Sequence, residues 1–105
     1  MIAMQSYRIL ISKDASSDLD DMAEYVAGIY HPITGHKYVN RILEKLSALR
    51  ITADANPLSN YEIARRINPL AKTMSIMNRK WTVVYHVEFD TVIIDRVLPS
   101  KMMIK

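Results

Sequence analysis

Apolar positions follow two different periods along this chain, and each period predicts its own kind of element. The stretch "SYRILIS" (residues 6–12) alternates, with Tyr7, Ile9 and Ile11 on one side and Arg8 and Leu10 on the other, as a short strand does. Ser12 or Asp14 can then cap a helix, whose positive end Asp18, Asp20 and Asp21 favour. Leu19, Met22, Ala23, Val26 and Tyr30 recur at spacings of three and four, giving one apolar stripe, with Asp18, Asp21 and Glu24 turned outward. Pro32 stops that helix. A second helix is expected over about residues 33–50, with Tyr38, Ile42, Leu46 and Leu49 on its apolar face and Lys37, Arg41 and Lys45 on another.

The run "TADANPLSNYE" (residues 52–62) has no apolar period and reads as irregular, mobile chain. From about residue 71 the period becomes two, and "KTMSIM", "KWTVVYHVE" and "TVIIDRVL" predict three antiparallel strands. On the middle one, Trp81, Val83, Tyr85 and Val87 share the face expected to meet the helices, which makes Trp81 and Tyr85 core residues. Thr82, Val84, His86 and Glu88 share the other face. The expected fold is α+β, in the order β-α-α-β-β-β. A two-helix hairpin packs on one face of a small, mainly antiparallel sheet, and the opposite face is left bare.

Composition narrows the possibilities. At 105 residues with no linker or repeat, the chain reads as a single domain over residues 1–105, burying roughly 65% of its unfolded surface. The absence of cysteine removes disulfides, thiolate nucleophiles and Cys-based zinc sites, and fits a reducing interior; a cytoplasmic protein is expected. No stretch approaches the roughly 20 apolar residues of a membrane helix, and the amino terminus lacks an export signature, so no membrane association is expected. The net charge of +3 is uneven. Residues 1–60 hold six Lys/Arg against seven Asp/Glu, whereas residues 61–105 hold eight against four, a bias toward phosphate or an acidic protein.

Candidate chemistry is sparse. His86, placed on the open sheet face, can transfer protons near neutral pH. Arg79 and Lys80 at a β-turn, and the adjacent Arg65 and Arg66 beside the irregular segment, suit contacts with a partner or target. Met102 and Met103 extend past the last strand as an exposed, adaptable apolar end. His31 and His36 flank the interhelical turn with no clustered carboxylate, so no metal site and no cofactor are expected.

Taken in order, "YRILISKDASSDLDDMAEYV", "ITGHKYVNRILEKLSAL", the segment with Pro57, and "WTVVYHVEFDTVIIDRVL" resemble the ParE/RelE superfamily of toxins from bacterial type II toxin–antitoxin modules, often labelled plasmid stabilisation proteins. The most specific pieces are the Ser-x-x-Ala-x-x-Asp-Leu run from Ser12 to Leu19 and the paired "VVYHV" and "IIDRVL" strands. The resemblance implies a growth inhibitor neutralised by a cognate antitoxin, commonly with an acidic, partly disordered tail, and acting on DNA gyrase or on the ribosome. It also implies operator DNA contact only through the antitoxin. RelE-like ribonucleases supply Lys and Arg from the central strands and basic or aromatic groups near the C-terminus. Here Thr73, Ser75 and Thr82 stand at the strand positions, and Lys101 alone matches a basic one. The expectation is therefore a ParE-like toxin that binds its target, plausibly gyrase, without cutting RNA. The alternatives are a metal-independent, ribosome-dependent endoribonuclease using His86, Arg79, Arg96 and Lys101, and a family member that binds a partner but poisons nothing.

Overall fold

The structure is a computed structural model that describes residues 6–103. Strand β1 (Arg8–Ile11) leads into α1 (Lys13–Ile29), and α2 (Pro32–Ser47) folds back beside it. Two short helices follow, α3 (Leu49–Thr52) and α4 (Glu62–Ile67), the first running into a 3-10 turn over Ala53–Ala55. Strands β2 (Lys72–Ile76), β3 (Trp81–Glu88) and β4 (Thr91–Pro99) complete a sheet of order β1-β4-β3-β2. The β2–β3 and β3–β4 pairs are antiparallel, while β1 joins the far side of β4 in parallel. The expected α+β architecture is thus present, as a four-stranded mixed sheet with the helical hairpin on one face.

Local chemistry accounts for the boundaries. The Ser12 hydroxyl accepts from the Ala15 N–H at 3.1 Å and donates to the Asp95 carbonyl at 3.0 Å, capping α1 while fastening it to β4. His31 Nδ1 accepts from the Ile33 N–H at 3.2 Å and Pro32 opens α2, so this histidine acts as a helix cap. Between the helices and the sheet lies one core, in which Leu19, Met22, Ile42, Leu46 and Leu49 meet Val83, Tyr85, Val92, Ile94 and Val97. Each large apolar side chain buried there contributes about 1.5–3 kcal/mol.

Four expectations are corrected. The second face of the sheet is covered: Ala64, Ala71, Val84 and Leu98 form a buried cluster there, flanked by Tyr61, Ile63, Ile67 and Met103. Thr82, Val84 and His86 are consequently buried. The segment over residues 52–62 is anchored, because Asp54 accepts from the Tyr7 hydroxyl at 2.6 Å and the Ala53 carbonyl accepts from the Tyr85 hydroxyl at 2.7 Å. Asn56 donates to that same Tyr85 oxygen, and Leu58 bridges to Lys72. Asp18 does not look into solvent. It receives Nε and an Nη of Arg96 at 2.8 and 2.9 Å, and the Val97 N–H at 2.9 Å. β1 pairs with β4 only as far as Ile94, so Asp18 takes an edge donor that β1 leaves open. Tyr30, expected on the apolar stripe, is the exposed C-cap of α1.

A β-bulge interrupts β4. Val84 pairs with Arg96 and Tyr85 with Ile94, which leaves Asp95 unpaired between them. The bulge explains why Ile94 and Val97, three residues apart, both face the helices.

Candidate functional site

The expected site residues separate into two places. His86 is enclosed in the sheet, 6% exposed, with Nδ1 at 2.6 Å from Asp95 Oδ2 and Nε2 at 3.1 Å from Glu88 Oε1. The bulge that frees Asp95 from strand pairing also sets its carboxylate against the ring. Burial alone would lower the imidazole pKa, but the hydrogen bonds and charges of Asp95 and Glu88 outweigh it and raise the pKa above 6.5. When protonated, the ring can donate from both nitrogens, to Asp95 and to Glu88, and no Lys or Arg side chain contacts it among the described residues. Arg96, the nearest strand cation in sequence, is committed to Asp18, which keeps it firmly protonated.

Lys101 lies elsewhere, in the 3-10 turn Ser100–Met102 beyond β4. The Ser100 N–H donates to the Lys80 carbonyl, so this turn sits beside the start of β3. His86 is five residues further along β3, a separation of about 16 Å at the usual strand rise. The two proton-transfer candidates are not brought together.

The structure does bring Arg79, Lys80 and Lys101 together. They line a depression of about 520 Å³ with Tyr25, Trp81 and Pro99. An adjoining depression of about 270 Å³ shares Tyr25, Trp81 and Pro99 and continues over Met22, Leu98 and Met102 toward Asp18 and Asp21. The result is one groove between α1 and the end of β4, with an apolar floor, a cationic end and an acidic end. Trp81 is fixed at its centre, its indole N–H donating to the Tyr38 hydroxyl at 2.7 Å. Met102 lines this groove, whereas Met103 packs on the second core cluster. Arg65 and Arg66 lie apart on α4, where Arg66 pairs with Glu62 at 2.6 Å.

Two residues of interest escaped the sequence reading. Tyr25 is 65% exposed although it forms a wall of the groove, and an aromatic off the apolar stripe of an amphipathic helix was the available signal. Phe89 is 97% exposed at the tip of the β3–β4 turn with φ 54°, a left-handed conformation that Gly and Asn adopt far more readily. Among the described residues no group of three His, Cys, Asp or Glu side chains is placed to hold a metal ion, and no helix is long and apolar enough to cross a membrane.

The family model described as ParE toxin of type II toxin-antitoxin system, parDE, matches residues 9–104. The chain therefore belongs to the ParE toxin family. A solved structure titled "Chromosomal ParDE TA system from P. aeruginosa" is similar to it, with a TM-score of 0.75 and 18% identity, over 90% of this chain and 97% of that one. At that identity the likeness concerns the fold. No curated protein matches the chain.

Proposed function

We propose that the chain is a growth-inhibiting toxin that binds DNA gyrase and is silenced by a cognate antitoxin seated in the groove between α1 and β4. The observation that carries the binding mode is the enclosure of His86 by two carboxylates. Cleavage of RNA through its 2′-hydroxyl needs a base, an acid and a cation for the developing phosphate charge, all converging on one point. Around His86 the contacting side chains are the carboxylates of Asp95 and Glu88, and Lys101 lies beyond the far end of β3, about 16 Å along the strand.

The groove supports the antitoxin half of the reading. A disordered acidic tail that folds on binding gains apolar contact on Tyr25, Trp81, Pro99 and Met102 and ion pairs with Arg79, Lys80 and Lys101. The sheet also has two outer strands, β1 and β2, where an extended segment can pair, on β2 beyond the Leu58–Lys72 bridge.

Induction without antitoxin, with translation and DNA breakage followed together, tests the target. Early DNA damage with protein synthesis intact supports gyrase. Early translational arrest with cleaved mRNA, abolished in His86→Ala or Lys101→Ala, selects RNA cleavage instead, and unimpaired growth selects a member that poisons nothing. Tyr25→Lys combined with Met102→Lys is expected to release the antitoxin in co-purification, while Arg65→Ala leaves the complex intact.

A further inference from the structure

The cations of the β2–β3 turn do not stand alone. Besides the depression that Arg79 and Lys80 share with Lys101, two further depressions open beside the turn. One, of about 420 Å³, is lined by Arg41, Lys45 and Lys80 together with Tyr38 and Asn78. The other, of about 450 Å³, carries Lys45, Asn78 and Arg79 with Ser75. The three meet at the turn, since Lys80 belongs to two of them, Arg79 to two, and Lys45 to two. No Asp or Glu lines any of the three. Arg41, Lys45, Arg79, Lys80 and Lys101 are all exposed, and none has an ion-pair partner among the described residues. Arg8, Arg66 and Arg96 are each matched to a carboxylate; Lys13, Lys37, Arg50, Arg65 and Lys72 are also unmatched among the described residues but line none of these three depressions.

We propose that this apron of five cations around the β2–β3 turn binds the phosphate backbone of duplex DNA without sequence preference. Charge complementarity selects a polyanion: the cations come from three separate elements and lack internal counter-charges, so their fields add over one surface. The arrangement selects a duplex. Arg41 and Lys45 lie one helical turn apart on α2 on one side of the turn, and Lys101 lies on the other, with Arg79 and Lys80 between. Cations on two flanks of a protruding turn match the two phosphate rows that border a groove wide enough to admit a β-turn. A single strand offers one row and binds chiefly by stacking on several free aromatic faces, whereas here Trp81 is half-buried and tied to Tyr38, leaving Tyr25 as the one exposed aromatic lining the three depressions. The deep, narrow major groove of an RNA helix would exclude the turn. A folded acidic protein would use apolar area at the contact centre, which the depression of Arg41, Lys45 and Lys80 offers least and the ones at Arg79 offer beside Met74, Ile76 and Trp81, so polyglutamate serves as one of the probes.

The backbone fits an exposed contact element. Met77, Asn78 and Arg79 have φ of 54°, 56° and 65°, three consecutive left-handed residues with no glycine among them. Such strain persists where the surrounding structure over-determines it and concentrates at functional segments. This inference stands apart from the gyrase reading, because it concerns contact of the chain alone with DNA. Bound near a DNA-acting target, the same surface would lay the toxin on the substrate of that target.

The test is fluorescence anisotropy of the full chain, free of antitoxin, on a random-sequence DNA duplex, with single-stranded RNA of the same length and polyglutamate as parallel probes. Salt is varied between about 50 and 200 mM. If all five cations engage phosphates, log K falls with log salt at a slope of about −4.5, and Arg41→Gln/Lys45→Gln/Lys80→Gln reduces that slope by about 2.7. Lys13→Gln/Arg65→Gln/Arg66→Gln, which removes three cations lining none of the three depressions, is the charge-matched control and should leave most of the slope in place. The proposal is overturned by absent duplex binding, by an equal loss in the control, by an unchanged slope in the triple variant, or by tighter binding to RNA or polyglutamate. These positions are exposed, so an unchanged unfolding midpoint confirms that each variant is folded.

Discussion

At His86 the fold seats an imidazole between Asp95 and Glu88 inside a sheet, which favours its protonated form. The consequence for stability has a definite sign. The folded imidazole titrates above the 6.5 of an unfolded one, so its contribution is complete below about pH 6.5 and is lost as pH rises through the higher folded value. Urea unfolding midpoints should therefore fall as pH is raised above about 6.5, and His86→Gln should flatten that part of the curve. Asp95→Ala leaves the buried ring without its closest partner and should cost about 1–3 kcal/mol at pH 6. Asp18→Ala removes the Arg96 fork and the Val97 acceptor together; because Arg96 is partly solvated, about 1–2 kcal/mol is expected in the same assay. Phe89 predicts the opposite sign. Glycine adopts its left-handed backbone without penalty and the ring has no burial to lose, so Phe89→Gly should stabilise by about 1 kcal/mol. If that variant is also less toxic, the exposed ring is a contact with the target.

Among elements, the helical hairpin is decided by a single glycine. A Cβ at Gly35 would lie 2.5 Å from the Ala23 carbonyl and 3.2 Å from the Ala27 Cβ, so α1 and α2 approach closely only because none is there. Gly35→Ala should force the helices apart at a cost of about 1–3 kcal/mol. Gly28→Ala, with open space around the new methyl, should gain about 0.5–1 kcal/mol through helix propensity. Thermal scans read both as shifts of several degrees in opposite directions. The helix and strand periods, the Ser12 cap and the break at Pro32 were legible because each depends on neighbours in sequence. The cover over the second sheet face was not. Helix α4 has only six residues, too few for a period to emerge, although Ile63, Ala64 and Ile67 do share its inner side. The candidate site was legible in parts: the sequence pointed to Arg79, Lys80, Lys101 and Met102, but not to the groove they share. Asp18 and Arg96 lie 78 residues apart, and the bulge at Asp95 shifts the parity on which strand faces are read, so neither was open to local reasoning.

For the whole molecule, charge is distributed by use. Asp18 and Asp21 mark one end of the α1–β4 groove, and the cations of the β2–β3 turn mark the other. The same turn borders the surface proposed for DNA, so antitoxin and DNA, each seated as proposed, are expected to compete for Arg79, Lys80 and Lys101. Another consequence lies in the parallel seat of β1 against β4, which joins residues 8–11 to residues 91–94. During synthesis β1 has nowhere to dock until residues 91–94 have left the ribosome, and such long-range pairing forms late. Chains halted near residue 90 should be cut readily by protease, and the finished chain should resist. A surface that needs the complete sheet, the α1–β4 groove included, is therefore not offered to any partner before residues 91–94 are in place.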